Sequence, residues 1–132
     1  MPSKKNLHIY TDGGAEKWAF VVVKDNMIVH EESGIFGIFA STKNDNTESE
    51  AILKALNFIK THPGNYIITT DSQAIIAKVN GTAVNATKNP NIRGIQTLLK
   101  EFKESPEPIS VTIRWQKRLS NDFMKHVDSL CI

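Results

Sequence analysis

Two neighbouring stretches decide how this chain is built: Thr47–Lys60, TESEAILKALNFIK, and Tyr66–Ser72, YIITTDS. In the first, Ala51, Ile52, Ala55, Leu56 and Ile59 recur at helical period and form one apolar stripe. The second is a short run rich in Ile and Thr, bounded by Pro63-Gly64 and Asp71-Ser72, which is how a strand between two chain-breaking turns reads. A helix that feeds a buried strand is a crossover. The strand ending at Thr70 is therefore expected to run parallel to another strand of the same sheet.

On the N-terminal side, Leu7–Asp12 alternates as a strand, with Leu7, Ile9 and Thr11 on one face and His8, Tyr10 and Asp12 on the other. Trp18–Val23 and Met27–Glu32 are β-rich and joined by Lys24, Asp25 and Asn26, a hairpin connection, so the first three strands form an antiparallel meander. On the C-terminal side a second helix is expected over Ser72–Asn80, stopped by Gly81. Asn89 as N-cap and Pro90 open a third helix, with Ile92, Ile95, Leu99 and Phe102 on one stripe. After the break at Ser105–Pro108, Ile109–Trp115 reads as a strand and Ser120–Cys131 as a closing helix. The expected class is α/β: a mixed five-stranded sheet, an antiparallel meander plus two parallel strands, flanked by helices.

With 132 residues and 40% hydrophobic content, the chain can bury one sizeable core, and one domain is expected over residues 1–132. A net charge of +2 permits nucleic-acid binding without arguing for it. Cys131 is the only cysteine, which excludes an internal disulfide and reads as a small buried hydrophobe of the last helix. The longest apolar run, Ala19–Val23, is far below membrane-spanning length, so a soluble, cytoplasmic, monomeric protein is expected. His8, His30, His62 and His126 show no ligand spacing.

Asp12 and Asp71 both stand at carboxyl ends of strands, where the functional crevice of an open α/β sheet lies. Aspartate also favours turns and helix caps, and the pair by itself leaves that reading open. Glu48 adds a third carboxylate, aligned with the apolar stripe of its helix and so aimed at the sheet. Glu50 lies about 200 degrees further round, with Lys54 placed for an ordinary surface pair.

Three blocks together resemble type 1 ribonuclease H: Thr11-Asp12-Gly13-Gly14 closing the first strand, Glu48-x-x-Ala51-x-x-x-Ala55-Leu56 opening a helix, and Thr70-Asp71-Ser72-Gln73 closing a strand. Asn89-Pro90-Asn91-Ile92 is similar to the start of that family's later long helix, and Val127-Asp128-Ser129-Leu130 matches half of its last motif. The compact middle is most similar to the ribonuclease H domains of retroviral reverse transcriptases. The resemblance implies an endonuclease that cuts the RNA strand of RNA-DNA hybrids with two divalent cations, Asp12 bridging both, Glu48 and Asp71 helping to hold one and Asp128 the other. All-oxygen ligands suit Mg2+, with Mn2+ as a substitute. Asp122 is the rival to Asp128 but projects away from the stripe of Phe123, Val127, Leu130 and Cys131.

The same resemblance assigns 2′-hydroxyl contacts to Gly13, Asn44, Ser72 and Gln73, although Asn44 also reads as an ordinary loop residue and Ser72-Gln73 as a helix cap. Many cellular members carry a histidine ten residues before the last aspartate; this chain has Arg118, placed either to meet a phosphate or simply to face solvent. Asn80–Lys88 holds a single Lys, so the basic handle of the longest members is missing, and the stretch before Leu7 is too short for a separate hybrid-binding domain. Trp18 is expected in the core. A nuclease of the same fold acting on another nucleic acid, or a silent binding module, are the alternatives.

Overall fold

The computed structural model describes residues 7–14, 16–35, 44–81, 90–106 and 109–131. Five strands, β1 (Leu7–Gly13), β2 (Lys17–Lys24), β3 (Met27–Ile35), β4 (Asn65–Thr70) and β5 (Ser110–Trp115), form one sheet in the order β3-β2-β1-β4-β5. β1, β2 and β3 pair antiparallel, whereas β4 pairs parallel with both β1 and β5. The crossover that makes β4 parallel is α1 (Asn44–Thr61), as the helix-strand pattern requires. The remaining helices are α2 (Gln73–Val79), α3 (Pro90–Glu104) and α4 (Asp122–Ser129).

Strand alternation splits the core in two. Ile9, Phe20 and Val22 point to one face and pack under α1, α2 and α3, together with Ala51, Ile52, Ala55, Leu56, Ile59, Ile75, Ile92 and Ile95. Tyr10, Ala19, Val21 and Val23 point to the other face and meet Met124 and Val127 of α4. Each fully buried Ile or Leu contributes about 1.5 to 3 kcal/mol, so the stripe on α1 is what fixes its rotation about its own axis. Trp18 is buried, as expected, with the Lys54 ammonium 5.4 Å from its ring centre.

Several boundaries differ from the sequence reading. The β2–β3 connection is a two-residue turn, Asp25-Asn26, with φ of 51° and 66°; Lys24 pairs directly with Met27. Asn and Asp tolerate that left-handed backbone, which suits the twist of a hairpin. β3 continues to Ile35 because β2 begins at Lys17, and the antiparallel register sets Lys17 opposite Ile35. α1 begins at Asn44, so Glu48 sits in its second turn, not its first; a polar Asn-Asp-Asn start is well tolerated where backbone N–H groups lack partners. α2 follows expectation, with Ser72 as N-cap and Gly81 at φ 75° just beyond its end. α4 is shorter than expected, capped by the Asn121 side chain and ended before Leu130, which leaves Cys131 outside the helix. Asn89 lies outside the described residues. Among those residues no helix is long and apolar enough to cross a membrane.

Candidate active site

The parallel register carries the first step of site assembly. Tyr10 pairs with Thr69, so the next residues of the two strands bring Asp12 level with Asp71 at the same sheet edge, about 4.8 Å apart strand to strand. Thr11 Oγ1 donates to the Thr69 carbonyl across this junction at 3.4 Å. Asp12 is 5% exposed, and one of its oxygens, Oδ1, accepts the Gly13 amide at 2.9 Å.

Glu48 arrives from α1 because α1 can press its backbone against the end of β1. A Cβ on Gly13 would collide with the Glu48 nitrogen and lie 2.5 Å from Thr47 Oγ1. Only glycine permits that approach. Thr47 Oγ1 then donates to the Gly14 carbonyl at 2.6 Å and pins the helix to the strand. Glu48 is 6% exposed, and Thr70 Oγ1 lies 3.5 Å from its Oε2.

Carboxylate oxygens of Asp12, Glu48 and Asp71 all lie within 4.8 Å of one another. Two unit charges at about 4 Å repel by roughly 4 kcal/mol even at an effective dielectric of 20, and burial removes the water that would screen them. Burial, followed by the Asp71 and Asp12 charges, pushes Glu48 up to about 10. Burial, then a hydrogen bond with Asp128 and the Asp71 charge, pushes Asp12 up to about 7. Asp12 and Glu48 would both ionise fully near neutral pH only with positive charge among their oxygens, and the donors are of the hard, all-oxygen kind that divalent metal ions take.

Asp128 lies near enough to Asp12 to help raise its value, but outside the tight three-carboxylate group. The Arg118 guanidinium donates to its Oδ1 at 3.1 Å. Asp122 opens α4 and is exposed. Glu50 pairs with Lys54 at 3.6 Å, as the helical phase requires. Ser72 caps α2 by accepting the Ile75 amide at 3.2 Å, and Gln73 is exposed. Asn44 starts α1; its side chain lies outside the described residues.

Three participants escaped the sequence reading. Thr70 was visible only as part of a motif, yet its hydroxyl accepts the Ser72 amide at 3.1 Å beside Glu48. Trp115 looked like one more alternating strand residue, yet it is 45% exposed and its indole N–H reaches the Asp71 carbonyl at 3.1 Å. Cys131 is not a helix residue: its thiol donates to the Asp12 carbonyl at 3.4 Å, and burial, then the Asp12 and Glu48 charges, pushes it up to about 12.

The RNase H family profile matches residues 4–122. The chain belongs to the RNase H family. Its fold is shared with RNase H1 from the halophilic archaeon Halobacterium salinarum NRC-1, at 21% identity and a TM-score of 0.71, over 96% of this chain and 94% of that one. LC11-RNase H1, solved in complex with an RNA/DNA hybrid and isolated from compost by a metagenomic approach, matches at 21% identity and TM-score 0.74, over 95% and 93% of the two chains. The PFV RNase H domain matches at 18% identity and TM-score 0.65, over 98% and 91%. A search of curated protein sequences found no match. The mixed sheet of this chain is that of the RNase H fold. The family match stops short of Asp128, so the assignment of that residue rests on its place beside Asp12.

Proposed function

We propose that this RNase H family member is a metal-dependent endonuclease that hydrolyses the RNA strand of RNA-DNA hybrids. The observation that carries the reading is the meeting of three carboxylates from β1, α1 and the end of β4 within 4.8 Å, two of them almost fully buried. Family membership and the likeness to LC11-RNase H1, which was solved with a hybrid bound, support the substrate class.

Asp12, Glu48, Asp71 and Asp128 would hold two Mg2+ ions, with Mn2+ able to replace them. When bound, the two cations supply an activated water and offset the charge developing on the scissile phosphate and its leaving 3′ oxygen. Asp12 would serve both ions, Glu48 and Asp71 would help to hold one, and Asp128 would help to hold the other. Arg118 binds Asp128 through one nitrogen and is otherwise open to solvent, with side-chain exposure of 67%, so its remaining donors can meet a phosphate oxygen.

Discrimination of RNA from DNA has to come from contacts to 2′-hydroxyls in the wide minor groove, because the cations see only phosphate. Gly13 closes β1, Ser72 and Gln73 follow Asp71 at the start of α2, and Asn44 is the first residue of α1; these four are the proposed contacts. The protein is read as a cytoplasmic monomer. Labelled RNA-DNA hybrid, double-stranded RNA and double-stranded DNA, each incubated with and without Mg2+, test the proposal. Only the hybrid is expected to be cut, in its RNA strand, and only with the metal; cleavage in EDTA or equal cutting of all three would overturn it.

A further inference from the structure

Of the three clustered carboxylates, Asp71 alone belongs to no regular element. Asp12 is fixed by the β1 ladder and Glu48 by α1, but Asp71 occupies the bend between β4 and the seven-residue α2. The last backbone ladder bond on this side is Gln116 N–H to the Thr70 carbonyl, 2.9 Å. Beyond it, among the described residues, no backbone N–H donates to the Asp71 carbonyl.

Side chains take over there. The peptide unit between Asp71 and Ser72 has two polar ends: its C=O accepts the Trp115 indole N–H at 3.1 Å, and its N–H donates to Thr70 Oγ1 at 3.1 Å. Both ends of one peptide plane are thus held, and with them the direction of the Asp71 Cα–Cβ bond. The same end of β5 also reaches the helix carrying Asp128. Asn121 caps α4 with its Oδ1, 2.8 Å from the Met124 amide, while its Nδ2 donates to Gln116 Oε1 at 3.3 Å.

Core packing does not account for Trp115. The residue is 45% exposed, so a large part of the benefit of burying an indole is forgone, and at such exposure water can reach the N–H in place of a protein partner. We infer that Trp115 is a positioning residue for the cation site: its indole N–H holds the Asp71–Ser72 peptide plane so that the Asp71 carboxylate meets those of Asp12 and Glu48. The inference rests on the proposed cation site and names a residue outside the carboxylate set on which that site depends.

The test is Mn2+ titration of the metal-free protein by calorimetry, without nucleic acid, on wild type, Trp115→Phe, Asp71→Asn and the double variant. Trp115→Phe keeps an aromatic ring and removes the donor; it is expected to weaken Mn2+ binding about tenfold, the lower end of the usual cost of losing a partner that orients a metal ligand. In cleavage assays the Mg2+ concentration for half-maximal rate should rise by a similar factor while the hybrid KM stays within about twofold. Trp115→His, which retains a ring N–H, should recover part of the loss. Because Trp115 acts through Asp71, adding Trp115→Phe to Asp71→Asn should change Mn2+ affinity less than about twofold. Wild-type Mn2+ affinity in Trp115→Phe, a full tenfold further loss in the Asp71→Asn background, or a raised hybrid KM with unchanged metal dependence would each overturn the role of Trp115. Unchanged Mn2+ binding in Asp71→Asn alone would instead overturn the cation site itself.

Discussion

The α-carbon of Gly13 lies flat against the backbone of Glu48, with no room for a side chain between them. That contact joins the two elements that bring Asp12 and Glu48 together, and it is a property of the backbone, not of either carboxylate. Gly13→Ala should force α1 outward. Destabilisation of about 1 to 3 kcal/mol is expected from the added carbon, with weaker divalent-cation binding because Glu48 moves with its helix. Urea unfolding and Mn2+ titration read the two effects, and a variant with wild-type values in both would show that the helix yields freely.

The two glutamates of α1 separate helix phase from mere acidity. Glu48→Gln should lower hybrid cleavage by roughly 100-fold or more, since even groups that only orient metal ligands cost 10- to 100-fold. Glu50→Gln loses a half-exposed ion pair with Lys54, worth about 0 to 1 kcal/mol, and should keep its rate within about twofold. Steady-state rates at saturating Mg2+ decide it. Equal losses would contradict the observed rotation of the helix.

Asp12 and Glu48 make the metal-free protein sensitive to pH in a defined direction. Their ordinary values are 3.8 and 4.5, and in the folded chain they rise to about 7 and about 10. Both groups hold a proton more tightly when folded, so their contribution to stability is complete below about pH 4 and is lost as pH climbs through 7 toward 10. In EDTA the Tm should therefore fall from about pH 5 to pH 9, Glu48→Gln should flatten the decline, and Mg2+ should restore stability at the alkaline end. A Tm that rises with pH in EDTA would contradict the burial of these carboxyls without a counter-charge.

The last helix offers a paired comparison. Asp128 accepts from Arg118 and lies near Asp12, whereas Asp122 is exposed at the helix start. Asp128→Asn should depress cleavage in Mg2+ with partial recovery in Mn2+, which is less demanding in geometry. Asp122→Asn should change the rate less than about threefold, a barrier change of about 0.65 kcal/mol. If Asp122→Asn is the inactive variant, the fourth ligand is Asp122.

Hybrid affinity should be modest and strongly salt-dependent, because the net charge is only +2 and Asn80–Lys88 supplies a single Lys. With about 3 to 5 phosphate contacts, binding should weaken about 40- to 500-fold between roughly 50 and 200 mM salt. Fluorescence anisotropy on a labelled hybrid measures this, and a flat response would place binding on a different surface.

The order and kind of the elements, and three of the carboxylates, are legible in the residues alone. The stripe Ala51, Ile52, Ala55, Leu56 and Ile59 leaves one rotation for α1, and that rotation aims Glu48 inward and sets Glu50 against Lys54. Local periodicity carries this information because a helix or strand repeats within a few residues. The rest depends on contacts between segments far apart in the chain. The Asp12–Asp71 alignment comes from a parallel register, the reach of Glu48 from the bare face of Gly13, and the placing of Asp128 from α4 packing on the opposite face of the sheet. Trp115 shows the limit most plainly. Its alternation says strand, but its indole N–H serves a carbonyl 44 positions earlier in the chain, and no local pattern encodes a hydrogen bond that exists only after β4 and β5 have paired.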